Sequence, residues 1–516
     1  MSSSLEKESP KELEAGFVLE DQETGTKEST ESSPIGDGAR GEQTKFQRFT
    51  TFLTKYGIET HGIDPIPRED RTDKRLYQMF LAWLSVNLNV LTFSTGTVGP
   101  AFFGLGLRDS LIIILMVDLV LCAVPAYFAV FGPKLGTRAM VQSRFSWGFY
   151  GSMIPSILNV FSLQGFLILN CIVGGQTLAS VSDKLNDTAG IVIIAVISLV
   201  VTFCGYRVLH WYESFAWFPN LIAFLVMLGV GAKHIENNPM PPPEPSAVLS
   251  YASVVVSSVL SWCTMTPDYG VYHADTPSWH IFLYVYLGFF CSSLPGHMLG
   301  AAFAAGAPAV PAWQAGLGDG SDVGGLLEAV LAMSGGFGKF LTVVIALTIP
   351  SAVAPTMYSF GTSFMAVTPL FAKIPRYVYA IISTAILIPV AIVGATRFYN
   401  TLVDILSIIG YWSSSFAAIV FAEHFIIRRN RFSSYNTEDW DKPSKLPLGI
   451  AAVLAFACSI GIIVPSMSQV WYTGPIANSG TGDIGVYTGF FTAGLLYVPF
   501  RLVERNVERK MGREPF

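Results

Sequence analysis

The sequence Trp262-Cys263-Thr264-Met265-Thr266-Pro267-Asp268 lies in an apolar stretch long enough to cross a membrane, yet its composition does not suit an unbroken helix. Proline removes a backbone donor, and the threonines and the aspartate bring polar groups to membrane depth. Such an interruption persists only where protein encloses it or it lines a cavity. The first apolar stretch has the same character, running Trp83-Leu84-Ser85-Val86-Asn87-Leu88-Asn89 and then Thr92, Ser94, Thr95, Gly96, Thr97, Gly99 and Pro100. Two interrupted segments five stretches apart predict an internal repeat, with a binding site where the broken helices meet.

Composition extends this reading to the whole chain. Of 516 residues, 51% are hydrophobic and 13% charged, which is too apolar for a soluble protein of this length. With about 20 residues needed per spanning helix, twelve stretches qualify: 76–98, 108–133, 152–181, 189–206, 212–233, 250–272, 279–307, 337–368, 376–396, 402–427, 447–467 and 484–504. The pattern predicts an all-α polytopic membrane protein with broken helices 1 and 6.

Loop Lys and Arg set orientation. Lys134, Arg138, Arg144, Arg207, Lys373, Arg376, Arg428, Arg429, Arg431, Lys442 and Lys445 fall on one side, against Arg108, Lys184, Lys233, Lys339 and Arg397 on the other. Both termini are therefore expected in the cytoplasm. Residues 1–75 are expected to form a cytoplasmic, mostly disordered tail, with 1–45 rich in Ser, Glu, Gly and Lys, 428–446 a cytoplasmic loop, and 505–516 a basic cytoplasmic tail. The sequon Asn186-Asp187-Thr188 then falls outside. All six cysteines lie in apolar stretches, where a thiol behaves as a small hydrophobe and no disulfide framework is indicated.

An ionisable group inside a span is expensive and is read as functional by default. Asp118, Glu213, Asp268 and Asp404 qualify, with Glu423-His424 near an inner end. Asp268, just past the sixth-stretch break, is a candidate for coupling or gating, or else a hydrated, paired residue at a helix end. Glu213 opens the fifth stretch close to Arg207 and His210. It either complements the helix macrodipole or takes up and releases a proton as its surroundings change.

Asn170 follows Phe166 by one helical turn, so an aromatic face and an amide share one side of the third stretch. The ring could stack on a flat ligand while the amide offers a donor and an acceptor to its edge; an interhelical hydrogen bond explains the amide equally well. Trp262, mid-span rather than in an interfacial belt, is a second stacking platform. The eighth stretch carries Pro350 and Pro355 among small residues, the mark of a kinked helix with room beside it. No metal cluster, paired catalytic Cys and His, or phosphate-cradling loop occurs, and the Gly-rich 315–338 segment lacks the Lys-Ser/Thr of a P-loop. An enzyme is not expected, nor a cofactor, nor a nucleic-acid partner.

Several ordered blocks resemble the fungal purine–cytosine permease branch of the nucleobase cation symporter family. They are Gly57-Ile58-Glu59-Thr60-His61-Gly62-Ile63-Asp64-Pro65, Ile172-Val173-Gly174-Gly175-Gln176, Trp262 with Asp268-Tyr269 and Val271-Tyr272, and Ile409-Gly410-Tyr411-Trp412 with Glu423-His424. The last is Trp471-Tyr472-Thr473-Gly474-Pro475-Ile476-Ala477 with Gly482-Asp483-Ile484-Gly485. The resemblance implies a LeuT-like five-plus-five inverted repeat (76–233 and 250–427) followed by two C-terminal helices (447–504). It also implies that Trp262 stacks on substrate, Asn170 hydrogen-bonds it, and Glu213 affects proton-coupled uptake.

Two departures bear on specificity. Phe166 stands where the family often has a second tryptophan, and Ala352, Val353 and Thr356 stand where purine–cytosine carriers show amides, with Pro355 and Tyr358-Ser359 retained. A site that loses polar partners loses discrimination for polar edges, and the same branch contains vitamin B6 carriers. The expected substrate-binding set is Trp262, Asn170, Phe166, Ser85, Ser94, Thr95, Pro355 and Thr356, with Trp262 stacking on one face of the ring, Phe166 closing the other and backbone unwound near Ser94 to Gly96 completing the pocket; Glu213 and Asp268 are expected in coupling or gating. The expected activity is proton-coupled import of a purine or cytosine-type base at the plasma membrane. Pyridoxine or another planar heterocycle is the alternative, and a non-transporting nutrient sensor is the alternative of another class. Protons are the coupling ion the resemblance implies; sodium, on oxygens of Thr348, Ser359 and Thr362, is the lesser reading. Tail lysines Lys7, Lys11 and Lys27 are candidate points for trafficking or ubiquitylation machinery.

Overall fold

The computed structural model describes residues 62–203, 206–235, 242–318 and 321–513, without the side chains of 206–214. Most of the N-terminal tail, with Lys7, Lys11 and Lys27, lies outside the described residues. The longer helices are α1 Tyr77–Asn87, α2 Val90–Ala101, α3 Leu107–Leu121, α4 Ala123–Leu135, α5 Met153–Ala179, α6 Asp187–Phe203, α7 Tyr206–Gly231 and α8 Pro245–Leu260. They continue with α9 Ser278–Gly306, α10 Val323–Leu331, α11 Gly336–Thr348, α12 Pro350–Val367, α13 Arg376–Ala395, α14 Phe398–Phe421, α15 Ile450–Ser466 and α16 Gly485–Lys510.

Among the described residues, 9 helices are long and apolar enough to cross a membrane, or 10 when the bent pair α1 and α2 counts as one span. In that count α3 with α4 and α11 with α12 are single spans, Leu107–Leu135 and Gly336–Val367. Helices α6 and α15 are shorter apolar helices, and the only described strands are a two-residue pair, Ser468–Gln469 against Tyr472–Thr473.

The first stretch is bent between two helices, and the sixth passes from α-helix into 3-10 turns. α1 and α2 meet at 52°. The unwound residues are Leu88 and Asn89, whereas Ser94 to Gly96, expected to be unwound, are helical within α2. The cause is local capping: the Asn89 side chain accepts from the Thr92 N–H (3.0 Å), starting a new helix as an N-cap does. The Leu88 carbonyl freed by the break accepts from Asn220 of α7 (2.8 Å), whose own oxygen accepts from the Thr348 hydroxyl (2.9 Å). A buried backbone group left unpaired by a break is thus paired from a neighbouring helix.

In the sixth stretch, expected over 250–272, the α-helix begins at Pro245 and ends at Leu260. Two 3-10 turns, Ser261–Thr264 and Thr266–Tyr269, follow. Asn159 of α5 donates to the Thr264 carbonyl (3.3 Å), and the Thr266 hydroxyl donates to the Pro125 carbonyl (3.0 Å). The turn presses on α4 so closely that a Cβ on Gly132 would fall 2.4 Å from the Pro267 oxygen.

α9 packs along α1, α2, α3 and α4; α5 packs along α6, α12 and α13; and α15 with α16 forms a hairpin against α14. Glycines bring α9 onto α2: a Cβ on Gly96 would fall 1.9 Å from the His297 carbonyl oxygen, and one on Gly300 would fall 1.9 Å from that of Phe93.

Candidate functional site

The ends of the two interrupted helices face a buried cavity that α5, α9 and α14 complete. Asn87, Asn89, Leu91, Thr92 and Thr95 come from the first interruption, Ser258, Val259 and Trp262 from the second, Phe166 and Asn170 from α5, Ser293 and His297 from α9, and Leu406 from α14. The cavity admits the centre of a water molecule over ≈ 20 Å³, room for about one water. Such a space at the junction of two unwound segments is where a transporter fold has backbone and side-chain polar groups free of the regular helix ladder.

Trp262, Asn170, Phe166 and Thr95 of the expected set are brought together here. Phe166 and Trp262 are stacked on each other, with centroids 5.3 Å apart and an interplanar angle of 26°. They were expected on opposite faces of a ligand; here each ring is the other's partner. Trp83 meets Trp262 edge-on at 5.7 Å and stacks on Phe289 at 4.7 Å, so the aromatic wall is fixed from behind. Asn170 donates to the Phe166 carbonyl (2.9 Å), while its buried Oδ1 has no partner among the described residues. An unsatisfied buried acceptor costs about 1–3 kcal/mol and is here an acceptor held at the cavity wall.

The other expected residues lie off the cavity. Ser94 donates to the Val90 carbonyl (2.8 Å), and Ser85 is buried with its hydroxyl unpartnered. Thr356 turns its hydroxyl back on the Ala352 carbonyl (2.7 Å), the ordinary fate of a threonine inside a helix. Pro355 is buried within α12. Glu213 sits in α7, which starts at Tyr206 rather than near residue 212, so it is about two turns in and the helix-start reading lapses; its side chain lies outside the described residues.

Asp268 is buried rather than hydrated. Its Oδ1 accepts from the Ala139 N–H (2.7 Å), its Oδ2 lies 3.3 Å from the Ser359 hydroxyl and 3.4 Å from that of Thr362, and Arg138 adds favourable charge. It ties the unwound end of the sixth stretch to the segment before α5 and to α12. Ser359 and Thr362 face Asp268, while Thr348 bonds Asn220, so the three hydroxyls considered for sodium do not converge.

One feature of the site was not anticipated. His297 lines the cavity, and its Nδ1 lies 2.9 Å from Asp118 Oδ2; the two side chains are 2% and 0% exposed. The rule that marked Asp118, an ionisable group inside a span, marks His297 equally. Their pairing across 179 residues of sequence is a property of the packing alone.

A family model described as "permease for cytosine/purines, uracil, thiamine, allantoin" matches residues 65–485. The chain is 34% identical over 467 residues to the purine-cytosine permease FcyB of Emericella nidulans, covering 89% of this chain and 91% of that protein. It is 28% identical to the vitamin B6 transporter TPN1 of Saccharomyces cerevisiae, covering 89% of each. Among solved structures it is similar to the closed, bromovinylhydantoin-bound form of Mhp1, a nucleobase-cation-symport-1 family transporter. The TM-score is 0.65 at 16% identity, over 86% of this chain and 96% of that one.

Proposed function

The chain belongs to the cytosine/purine permease family of multi-pass membrane transporters, and on that premise we propose that it imports a purine or cytosine-type nucleobase by proton symport across the plasma membrane. The observation that carries the proposal is the buried cavity between the two interrupted helices, where the stacked rings of Trp262 and Phe166 adjoin the unpartnered oxygen of Asn170. A planar heterocycle would enter by parting the two rings and stacking on Trp262, with a ring N–H or amino group donating to Asn170. Thr95 and the unwound backbone at Leu88–Asn89 close the edge of the site.

Counting α6 and α15 as spans alongside the ten gives twelve, arranged as two five-helix repeats over 76–233 and 250–427 and two further helices over 447–504. Both termini are cytoplasmic in this reading. Alternating access follows from rocking about the two breaks, with Asp268 as a latch between the second break, α12 and the segment before α5. In this reading Glu213 acts in the coupling path, and the tail lysines serve trafficking or ubiquitylation machinery.

Pyridoxine is the second reading. Ala352, Val353 and Thr356 leave α12 without side-chain amides at these positions, and one relative is a vitamin B6 transporter. Uptake of radiolabelled hypoxanthine in cells lacking their own carriers, challenged with excess adenine, cytosine, pyridoxine or unlabelled hypoxanthine, separates the two. Saturable uptake blocked by adenine and cytosine is expected. A surface-localised protein that ignores hypoxanthine and takes up labelled pyridoxine overturns the nucleobase reading.

A further inference from the structure

We propose that the buried Asp118–His297 pair binds the coupling proton, an assignment that rests on the proton-symport reading above. Asp118 lies 11 residues into the span Leu107–Leu135, about 17 Å along it at 1.5 Å per residue. That is near mid-depth in a hydrocarbon layer of about 30 Å. His297 joins this depth to the cavity wall, so one side chain faces both the ionisable partner and the space a substrate would occupy.

The charge balance decides what the pair can do. Asp118 Oδ1 is buried with no partner, and no Lys or Arg lies within ion-pair distance of Asp118 among the described residues. The titratable groups around it are Cys122 on the same span, Tyr251 of α8 and Tyr286 of α9, with Cys291 of α9 beside Cys122. All of these are neutral at physiological pH with ordinary thiol and phenol chemistry. With one proton the pair is neutral overall, either as carboxylate with imidazolium or as carboxylic acid with imidazole. Without it, a single negative charge is left in the membrane interior with one hydrogen bond, a state buried groups avoid. The pair therefore holds its proton while enclosed and releases it when water reaches it. The proton arrives from the outer solution, forms an N–H or O–H bond on the pair, and leaves as that bond breaks to cytoplasmic water.

The tight contact of α2 on α9 links this site to substrate. The Gly96 backbone rests against the His297 carbonyl, and the Tyr251 hydroxyl donates to the Gly96 carbonyl (3.1 Å). Any shift of α9 that exposes His297 must move α2, which carries the cavity residues Thr92 and Thr95.

Proton entry on adding unlabelled hypoxanthine, cytosine or pyridoxine to lightly buffered cells, measured beside exchange of the same labelled compound across de-energised vesicles, tests the assignment. The wild type is expected to take up about one proton per substrate. Wild-type uptake without proton entry defeats the symport reading itself, before any variant is made. Asp118→Asn is expected to keep at least a tenth of the exchange rate while proton entry and accumulation above equilibrium fall at least tenfold. Unchanged stoichiometry in that variant, or exchange and accumulation lost in equal measure with the protein at the surface, overturns the assignment, since a purely structural bond predicts the latter. If Asp118→Asn does not reach the membrane, the pH profile of uptake in Asp118→Glu and His297→Gln decides. A shifted or flattened profile supports the site, and profiles superimposable on the wild type overturn it.

Discussion

The ionic cluster where α14 meets α16 and the centre of the bundle both bury charge, and they treat it in opposite ways. In the cluster every carboxylate is answered. Glu423 accepts from Arg428 Nε (2.8 Å) and the Tyr497 hydroxyl (2.9 Å), and Arg501 donates to Glu504 (2.9 Å) and Glu508 (3.0 Å). Backbone N–H groups of Leu448, Gly449 and Ala451, around the start of α15, donate to Glu508 Oε1, Glu504 Oε1 and Glu504 Oε2 in turn. At the centre, Asp118 Oδ1 and Asn170 Oδ1 are buried without partners. Carboxylates answered on every oxygen hold one arrangement of helices, whereas a buried acceptor left unanswered is a place where a proton or a ligand donor lowers the energy. The difference sets the α14–α16 cluster, a fixed joint, against the centre, the site proposed for substrate and proton.

Three outcomes break or sharpen that contrast. Arg501→Met leaves Glu504, Glu508 and one side of Glu423 without their guanidinium. Breaking a buried pair by removing one partner costs about 3–5 kcal/mol, so the detergent-solubilised protein should lose several degrees of melting temperature. An unchanged melting temperature would remove the cluster's role as a fixed joint. Trp262→Ala should reduce uptake about a hundredfold, roughly the 3–5 kcal/mol scale of a large aromatic truncation shared between binding and packing, while surface abundance stays near wild type. Normal transport at low substrate would place the site elsewhere.

The smallest effect concerns an intermediate case. Asp322 caps α10 by accepting from the Gly325 N–H (2.8 Å), and burial pushes its carboxyl up to about 6, with Asp187 adding to the rise. Because the folded state holds the proton more tightly than the unfolded chain, this contribution is complete below pH 3.8 and is lost as pH rises through 6. Amide exchange in α10, corrected for intrinsic rate, should be slower at pH 5 than at pH 7.5 by up to about tenfold, and Asp322→Asn should flatten the difference. Equal protection at both pH values would show that the cap alone sets the helix.

Much of this was legible in the sequence for physical reasons. Long apolar stretches mark membrane helices because the bilayer sets their length, and the Asn-rich and Pro-containing interruptions showed themselves as polar chemistry at the wrong depth. Trp262, Phe166 and Asn170 stood out as residue types that suit a planar ligand, and two of them are one turn apart on a helix. Less legible was the position of each break. Asn89 acts as an N-cap, which moves the first unwound residues to Leu88–Asn89, and the second α-helix gives way to 3-10 turns at Ser261, before Pro267. The Asp118–His297 pair and the support of Leu88 by Asn220 join residues far apart in sequence, and only the packing of α9 against α3 and of α7 against the first span brings them together.

The most direct test is accumulation in proteoliposomes under an imposed inward proton gradient, with labelled hypoxanthine, adenine, cytosine and pyridoxine offered in turn. At least one compound should rise above equilibrium inside the vesicles, and a protonophore should collapse that excess. Saturable binding with none of the four accumulating would contradict transport and leave a sensor.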